Sequence, residues 1–353
     1  MNRNASIYLD LLRSFAALSV VLFHASFLKF GGKWLWWISG EGTDSVMIFF
    51  VLSGYVITYV AMTKENTFEI FLTNRLARLY SVVFAAILLA SAVDLLTGTF
   101  WKLTYLASLF FVNEVWNFAL SPASNPPFWS LCYEVFYYAI FAAFLYSQGY
   151  VRILIISALM IFAGPNILLL FPVWITGGIV YMLSRKVRPN KWLGVSFLAL
   201  SLLGYFLLFS SFHGMYRSLF QFNSPNWGNL ASRSRGPLYS YILGFLVGMQ
   251  IIGFHACSQL FDTLLAAIEK PVKFIAGGSF SLYLYHYPLL VLLAHFLKPA
   301  ADDTFSSVLI IGLTLIGCFG LSFVTERKKN EVRKLVRFCW SYFSAPKVIK
   351  EMD

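Results

Sequence analysis

The chain has 353 residues, 59% of them hydrophobic, 18% aromatic and 12% charged, with a formal net charge of +11. Soluble globular domains carry about 25% charged residues, so this composition excludes an ordinary water-soluble fold and points to lipid as the solvent. The positive residues lie in short runs between apolar stretches rather than in one module, which argues for membrane topology and against nucleic acid as a partner.

Apolar runs of spanning length fall near 6–28, 44–62, 79–97, 127–147, 152–170, 173–184 with some extension, 192–210, 237–255, 273–297 and 304–325. The expected fold is an all-α polytopic bundle of about ten transmembrane helices. It forms one integral membrane domain over 1–326, followed by a basic cytoplasmic tail over 327–353. The first run lacks a small-residue cleavage site and reads as a retained helix. Region 100–120 is aromatic and amphipathic but interrupted by Asn113, Glu114 and Asn117, so it reads as interfacial or re-entrant.

With the N-terminus in the cytoplasm, the inside segments carry Lys64, Arg75 and Arg78, then Arg185, Lys186, Arg188 and Lys191, then Arg327, Lys328, Lys329, Arg333, Lys334 and Arg337. Both termini are then cytoplasmic. Arg217, Arg233 and Arg235 fall outside, against the rule. Gly244 and Gly248 form a G-x-x-x-G suited to close helix contact. Cys132, Cys257, Cys318 and Cys339 show neither C-x-x-C nor His/Cys metal spacing, so no metal site or disulfide framework is expected.

A charge at the bilayer centre costs at least ~2.5–3.5 kcal/mol, so the ionisable residues within the runs are informative. Asp10, Arg13 and His24 lie in the first, Asp94 near the end of the third, Glu134 in the fourth and His286 in the ninth. Arg13 and His24 share a helix face but stand roughly 16 Å apart along it. They form either a polar lane, or a snorkelling arginine and a structurally bonded histidine. Glu134 lies at a depth close to that of His24, where it could orient the imidazole of a general base or pair with an arginine. Arg75 and Arg78, spaced i, i+3, suit a phosphate-rich ligand or serve topology and lipid headgroups. His286 precedes Pro288, which lacks a donor and frees the carbonyl of Leu284. A kink with accessible polar backbone is expected there, around a histidine that is catalytic or structural.

In order, the chain reads Tyr8-Leu9-Asp10-x-x-Arg13, R-x(10)-H at Arg13 and His24, Phe49-Phe50-Val51-Leu52-Ser53-Gly54-Tyr55, and R-x-x-R at Arg75 and Arg78 with Leu79-Tyr80. Trp129-Ser130-Leu131-x-x-Glu134 and Ser281-Leu282-Tyr283-Leu284-Tyr285-His286-Tyr287-Pro288 follow. This ordered set resembles the acyltransferase-3 family over most of the chain. The resemblance implies a bacterial plasma (inner) membrane protein that moves an acyl group, most often acetyl, from cytoplasmic acyl-CoA to a hydroxyl of a cell-surface or lipid-linked sugar. Acyl-CoA is then a donor substrate, and no permanently bound cofactor is implied.

The residue matching His24 is the expected base. Arg13, Arg75 and Arg78 match arginines that handle the donor, and Glu134 matches a residue of the central cavity, with Ser53, Ser130, Tyr285 and His286 as further cavity residues. Two departures stand out: Ser45-Val46-Met47 where many members have G-V-D, although Asp44 is close by, and Ser81 where a proline often follows the arginine motif. No extracellular hydrolase-like domain follows the tenth run, so a second transfer step is expected to use a separate glycan-assembly protein. The rival from another class is a transporter or flippase of a lipid-linked saccharide, because intramembrane charges also mark transport routes.

Overall fold

The computed structural model describes residues 2–28, 35, 42–116, 118–186, 190–219, 223–224, 228–229, 233–300 and 303–344. Asn117, Arg188, the side chain of Arg217 and residues 345–353 lie outside that description. Helix α1 (Arg3–Phe27) starts where the Asn2 side chain accepts from the Ala5 N–H, and α2 (Gly42–Thr63) follows. Helix α3 (Phe68–Thr97) is capped by the Thr67 hydroxyl and ends on left-handed Gly98. The short α4 (Lys102–Leu109) precedes α5 (Trp129–Tyr146), α6 (Gly149–Ala163), α7 (Pro165–Lys186) and α8 (Lys191–Leu219). A two-residue antiparallel pairing of Asn223–Ser224 with Gly228–Asn229 lies in the next loop. Helices α9 (Pro237–Cys257), α10 (Asp262–Ala276), α11 (Ser279–Leu297), α12 (Thr304–Val324) and α13 (Lys329–Ser344) complete the chain.

Among the described residues, nine helical segments are long and apolar enough to cross a membrane, and α6 is a shorter apolar helix. The polytopic helical bundle anticipated from the sequence is therefore present, with shifted boundaries. Helix α3 begins at Phe68 rather than near 79, because polar residues in its first turns find partners in the fold. The chain breaks between α6 and α7 at Gly164, whose φ of 82° ends one helix before Pro165 opens the next. The expected span 273–297 divides into amphipathic α10 and apolar α11 across Gly277 and Gly278. Helix α4 has eight residues, about 12 Å of rise, too short to span. The basic tail is helical from Lys329 to Ser344 and packs along α3.

Helices α2 and α7 form the tightest crossing. A Cβ on Gly54 would lie 1.9 Å from the Trp174 carbonyl oxygen, and one on Gly177 would lie 1.9 Å from that of Val51. Only glycine at both positions allows the two backbones to meet, as small residues do between membrane helices. Gly248 of the G-x-x-x-G likewise faces Val180 of α7, with 2.7 Å left for a Cβ. On the other side of α2, Phe50 packs its ring against Trp129, Tyr133 and Tyr137 of α5. This aromatic layer fixes the rotation of α2 and α5 and turns Ser53 and Glu134 towards each other.

Candidate active site

Glu134 accepts hydrogen bonds from the hydroxyls of Ser53, at 2.6 Å, and Tyr138. The Trp174 indole N–H donates to the Ser53 oxygen at 3.2 Å, a contact made possible by the close α2–α7 crossing. Ser53, Ser130 and Glu134 line a cavity of about 560 Å³ with Arg13, Arg78, Ser279 and Tyr283. Tyr283 donates to the Pro127 carbonyl at 2.9 Å, so the 2.7 Å contact with Ser130 has the serine as donor. The cavity is thus polar along one wall and ends under a fixed tyrosine ring.

Beyond that ring lie the two histidines. His24 Nδ1 is 2.9 Å from His286 Nε2, and His286 Nδ1 is 3.0 Å from the Leu282 carbonyl oxygen. A carbonyl only accepts, so His286 carries its proton on Nδ1. Its neutral ring then offers Nε2 as an acceptor, and His24 must donate from Nδ1. The remaining nitrogen, His24 Nε2, keeps a bare lone pair on a ring that is half-buried. His286 is fully buried, and its ring lies 6.2 Å from that of Tyr283. The carbonyl of Leu284, freed by Pro288, is taken by the Asn125 side-chain N–H at 3.0 Å. The expected polar backbone beside His286 is thus present, and a loop residue occupies it.

That loop is itself anchored. Asp94, buried at the end of α3, accepts from the Ser124 N–H at 2.8 Å and from the Tyr105 hydroxyl. It ties region 100–125 to α3 and delivers Asn125 to α11. The ionisable residue near the end of the third span therefore acts as a loop anchor.

The structure regroups several expected site residues. The imidazole of His24 is oriented by His286 rather than by Glu134, which belongs to the Ser53–Tyr138 network. Arg13 and Arg78 reach the cavity. Arg75 instead turns to Glu65, with its guanidinium nitrogen 2.5 and 2.7 Å from the two carboxylate oxygens, and both residues are buried. The reason is the early start of α3, which places Arg75 two turns inside the helix, opposite the α2–α3 connection. Tyr285 is also directed elsewhere, donating to the Val82 carbonyl of α3 at 3.2 Å.

Asn125, Tyr138 and Trp174 carry no pattern that marks them in a hydrophobic sequence. The arginines that broke the charge rule have structural partners. Arg233 pairs with Glu114 at 2.7 Å, and Arg235 lies 3.9 Å from Asp44, which also accepts from Tyr239. Asp44, the acidic residue beside the Ser45-Val46-Met47 departure, is thus held by Arg235 and Tyr239. Among the described residues there is no cluster of His, Cys, Asp and Glu that could hold a metal ion.

The chain is 26% identical over 366 aligned positions to the peptidoglycan O-acetyltransferase OatA of Listeria monocytogenes, covering 87% of this chain and 53% of that protein. It is 30% identical over 162 positions to YrhL of Bacillus subtilis, whose name provisionally assigns it as a peptidoglycan O-acetyltransferase, over 40% of this chain and 24% of the relative. The chain therefore spans about half the length of the first relative and a quarter of the second. No solved structure matches it significantly. The profile of the acyltransferase-3 family, described as an acyltransferase domain, covers residues 6–327, which include both histidines and the whole cavity, and the chain belongs to that family.

Proposed function

We propose that the chain transfers an acyl group, most readily acetyl, from cytoplasmic acyl-CoA to a hydroxyl of a cell-surface or lipid-linked saccharide. The relatives named for peptidoglycan support a saccharide acceptor. The observation that carries the reading is the Leu282–His286–His24 relay, which leaves His24 Nε2 as a free base on the far side of the Tyr283 ring from a cavity lined by Arg13 and Arg78. In this reading the N-terminal end of the bundle faces the cytoplasm of a bacterial plasma membrane, and the His24 end of α1 faces outwards.

The acceptor hydroxyl gives its proton to His24 Nε2 as its oxygen attacks the thioester carbonyl. The resulting imidazolium is held by its Nδ1–H bond to His286. As the tetrahedral intermediate collapses, the carbon–sulfur bond breaks, the thiolate of coenzyme A leaves, and His24 returns the proton to sulfur. The products are an ester and free coenzyme A. Arg13 and Arg78 supply the positive charge that an anionic donor needs at the inner mouth of the cavity, and Ser53, Ser130 and Glu134 form the polar wall beside the acyl arm. Membrane lipid surrounds the bundle, and a glycan-assembly protein is the expected partner for any later transfer.

The test is incubation of the purified protein with radiolabelled acetyl-CoA and cell-envelope glycans. Label should appear on the glycan with wild-type protein and be absent with His24→Ala, which should still insert and express. Label transfer by the His24 variant would remove it as the base. Saccharide crossing the bilayer without label would establish a flippase instead.

A further inference from the structure

Two lysines have no part in the transfer just described, yet they stand at its mouth. Lys273 of α10 and Lys329 at the start of α13 face Arg13 and Arg78 across a polar hollow of about 620 Å³. The hollow shares Arg13, Arg78 and Ser279 with the reaction cavity, so the two spaces adjoin across these side chains. Four cations converge from four helices, and the same wall offers two carboxylates, Asp10 and Glu326. Both are engaged: Asp10 lies 3.7 Å from Arg13, and Glu326 accepts from the Ser281 N–H at 2.8 Å, capping α11. Like charges gathered in partly desolvated space repel; Lys273 is offset by Glu269, 2.6 Å away and shared with Arg3, and the excess of one positive charge that is left calls for an anion. Arg75 cannot supply it with a further cation, because Glu65 holds that guanidinium.

We propose that Lys273 and Lys329 grip the phosphates of a coenzyme A thioester in this hollow, while the uncharged pantetheine arm passes the Arg13–Arg78 neck into the reaction cavity. The assignment rests on the acyl-CoA reading above. It divides the work among the cations: the arginines guard the neck, and the lysines hold the nucleotide end. Chemistry fits this division, because an ammonium on a flexible stem follows a mobile phosphate, whereas a planar guanidinium suits a fixed position.

Kinetics with two donors test it. S-acetyl-pantetheine carries the same thioester without phosphates. For wild-type protein, kcat/KM should be higher with acetyl-CoA than with S-acetyl-pantetheine. In Lys273→Gln and Lys329→Gln that ratio should fall about tenfold or more, as expected for losing a hydrogen bond to a charged group, and Lys329→Arg should restore most of it. On the unaltered protein, adenosine 3′,5′-bisphosphate should compete with acetyl-CoA, a readout independent of how the variants fold.

A wild-type preference for acetyl-CoA that persists unchanged in both glutamine variants, or an absence of competition, would overturn the lysine assignment while the acyl-CoA reading stood. Use of neither donor by wild-type protein would bring down the acyl-CoA reading itself. Equal losses with both donors, confined to bilayers containing phosphatidylglycerol, would place a lipid phosphate in the hollow and also overturn the assignment.

Discussion

His24 owes its readiness as a base to its neighbour. Two imidazoles in contact share one hydrogen bond only if one nitrogen donates and the other accepts, and the Leu282 carbonyl decides which. His24→Ala should lower transfer by roughly 10²–10⁴-fold, the range for a positioned general base. His286→Ala should cost on the order of 10²-fold through loss of tautomer and orientation, and His286→Gln should recover part of it, because the amide oxygen can stand in for the Nε2 acceptor. Steady-state rates across pH distinguish positioning from mere packing. Protonating both rings would set two N–H groups against each other, so wild-type activity should fall in acid, and a changed acid limb is expected in the glutamine variant. An identical pH profile in both proteins would count against the relay.

The two arginines of one motif are separated by the same kind of reasoning. Arg75→Gln leaves Glu65 buried and unpaired, a loss of about 3–5 kcal/mol for a broken buried pair, and should appear as a lower Tm. Arg78→Gln should leave Tm near wild type and raise the donor KM. Thermal melts with kinetics on both variants settle the assignment, and a donor KM effect confined to Arg75→Gln would reverse it.

At the scale of elements, the α2–α7 crossing decides whether Ser53 and Glu134 can meet. A methyl at position 54 cannot fit 1.9 Å from a carbonyl oxygen, so Gly54→Ala must push the helices apart. Overpacking of this kind typically costs about 1–3 kcal/mol. Tm should drop, and transfer should fall further than stability explains, because the Trp174–Ser53 bond lengthens as well. Activity equal to wild type per folded molecule would show that the crossing serves only to pack.

Helix α13 has three sectors. Val332, Val336 and Trp340 lie against the protein, Lys334 and Arg337 are exposed, and Leu335, Phe338 and Tyr342 expose apolar surface of 62%, 69% and 75%. Such a helix fits the membrane interface. Cys339 is the exposed cysteine of the chain, the other three being buried. A fluorophore on Cys339 should therefore be quenched by nitroxide lipids and shielded from aqueous iodide; the opposite pattern would place α13 in water.

The whole molecule is organised by its two ends. The end holding the N-terminus gathers Arg13, Arg78, Lys273 and Lys329 around one hollow, and the far end pairs Arg233 with Glu114 and sets Arg235 beside Asp44. Burial pushes the Glu114 carboxyl above its ordinary range, and the Arg233 guanidinium pulls it back. A carboxyl raised by folding becomes a burden as pH climbs from its unfolded pKa through its folded one. Removing the opposing cation enlarges that burden, so Arg233→Ala should lose more stability at neutral than at acidic pH, because protonation of Glu114 removes its need for a partner. Equal losses in melts at the two pH values would mean that the pair carries no electrostatic weight.

Much of this was legible without coordinates, for reasons that differ by residue. Composition and run length alone determined a polytopic bundle, because no other solvent tolerates so few charges. Charges inside apolar runs determined which residues to examine, because burying them in lipid is costly. The freed Leu284 carbonyl followed from Pro288, because proline lacks the donor whatever surrounds it. Partnership was different. Helical spacing relates residues within one helix, so it led to the expectation of a common depth for Glu134 and His24 and said nothing of rotation about the helix axes. Only the packing of α1 against α11 brought His286 to His24, and only the rings stacked between α2 and α5 turned Glu134 to Ser53. The same holds for Arg75 and Arg78, neighbours in sequence whose fates were decided by Glu65 on one side and an open cavity on the other.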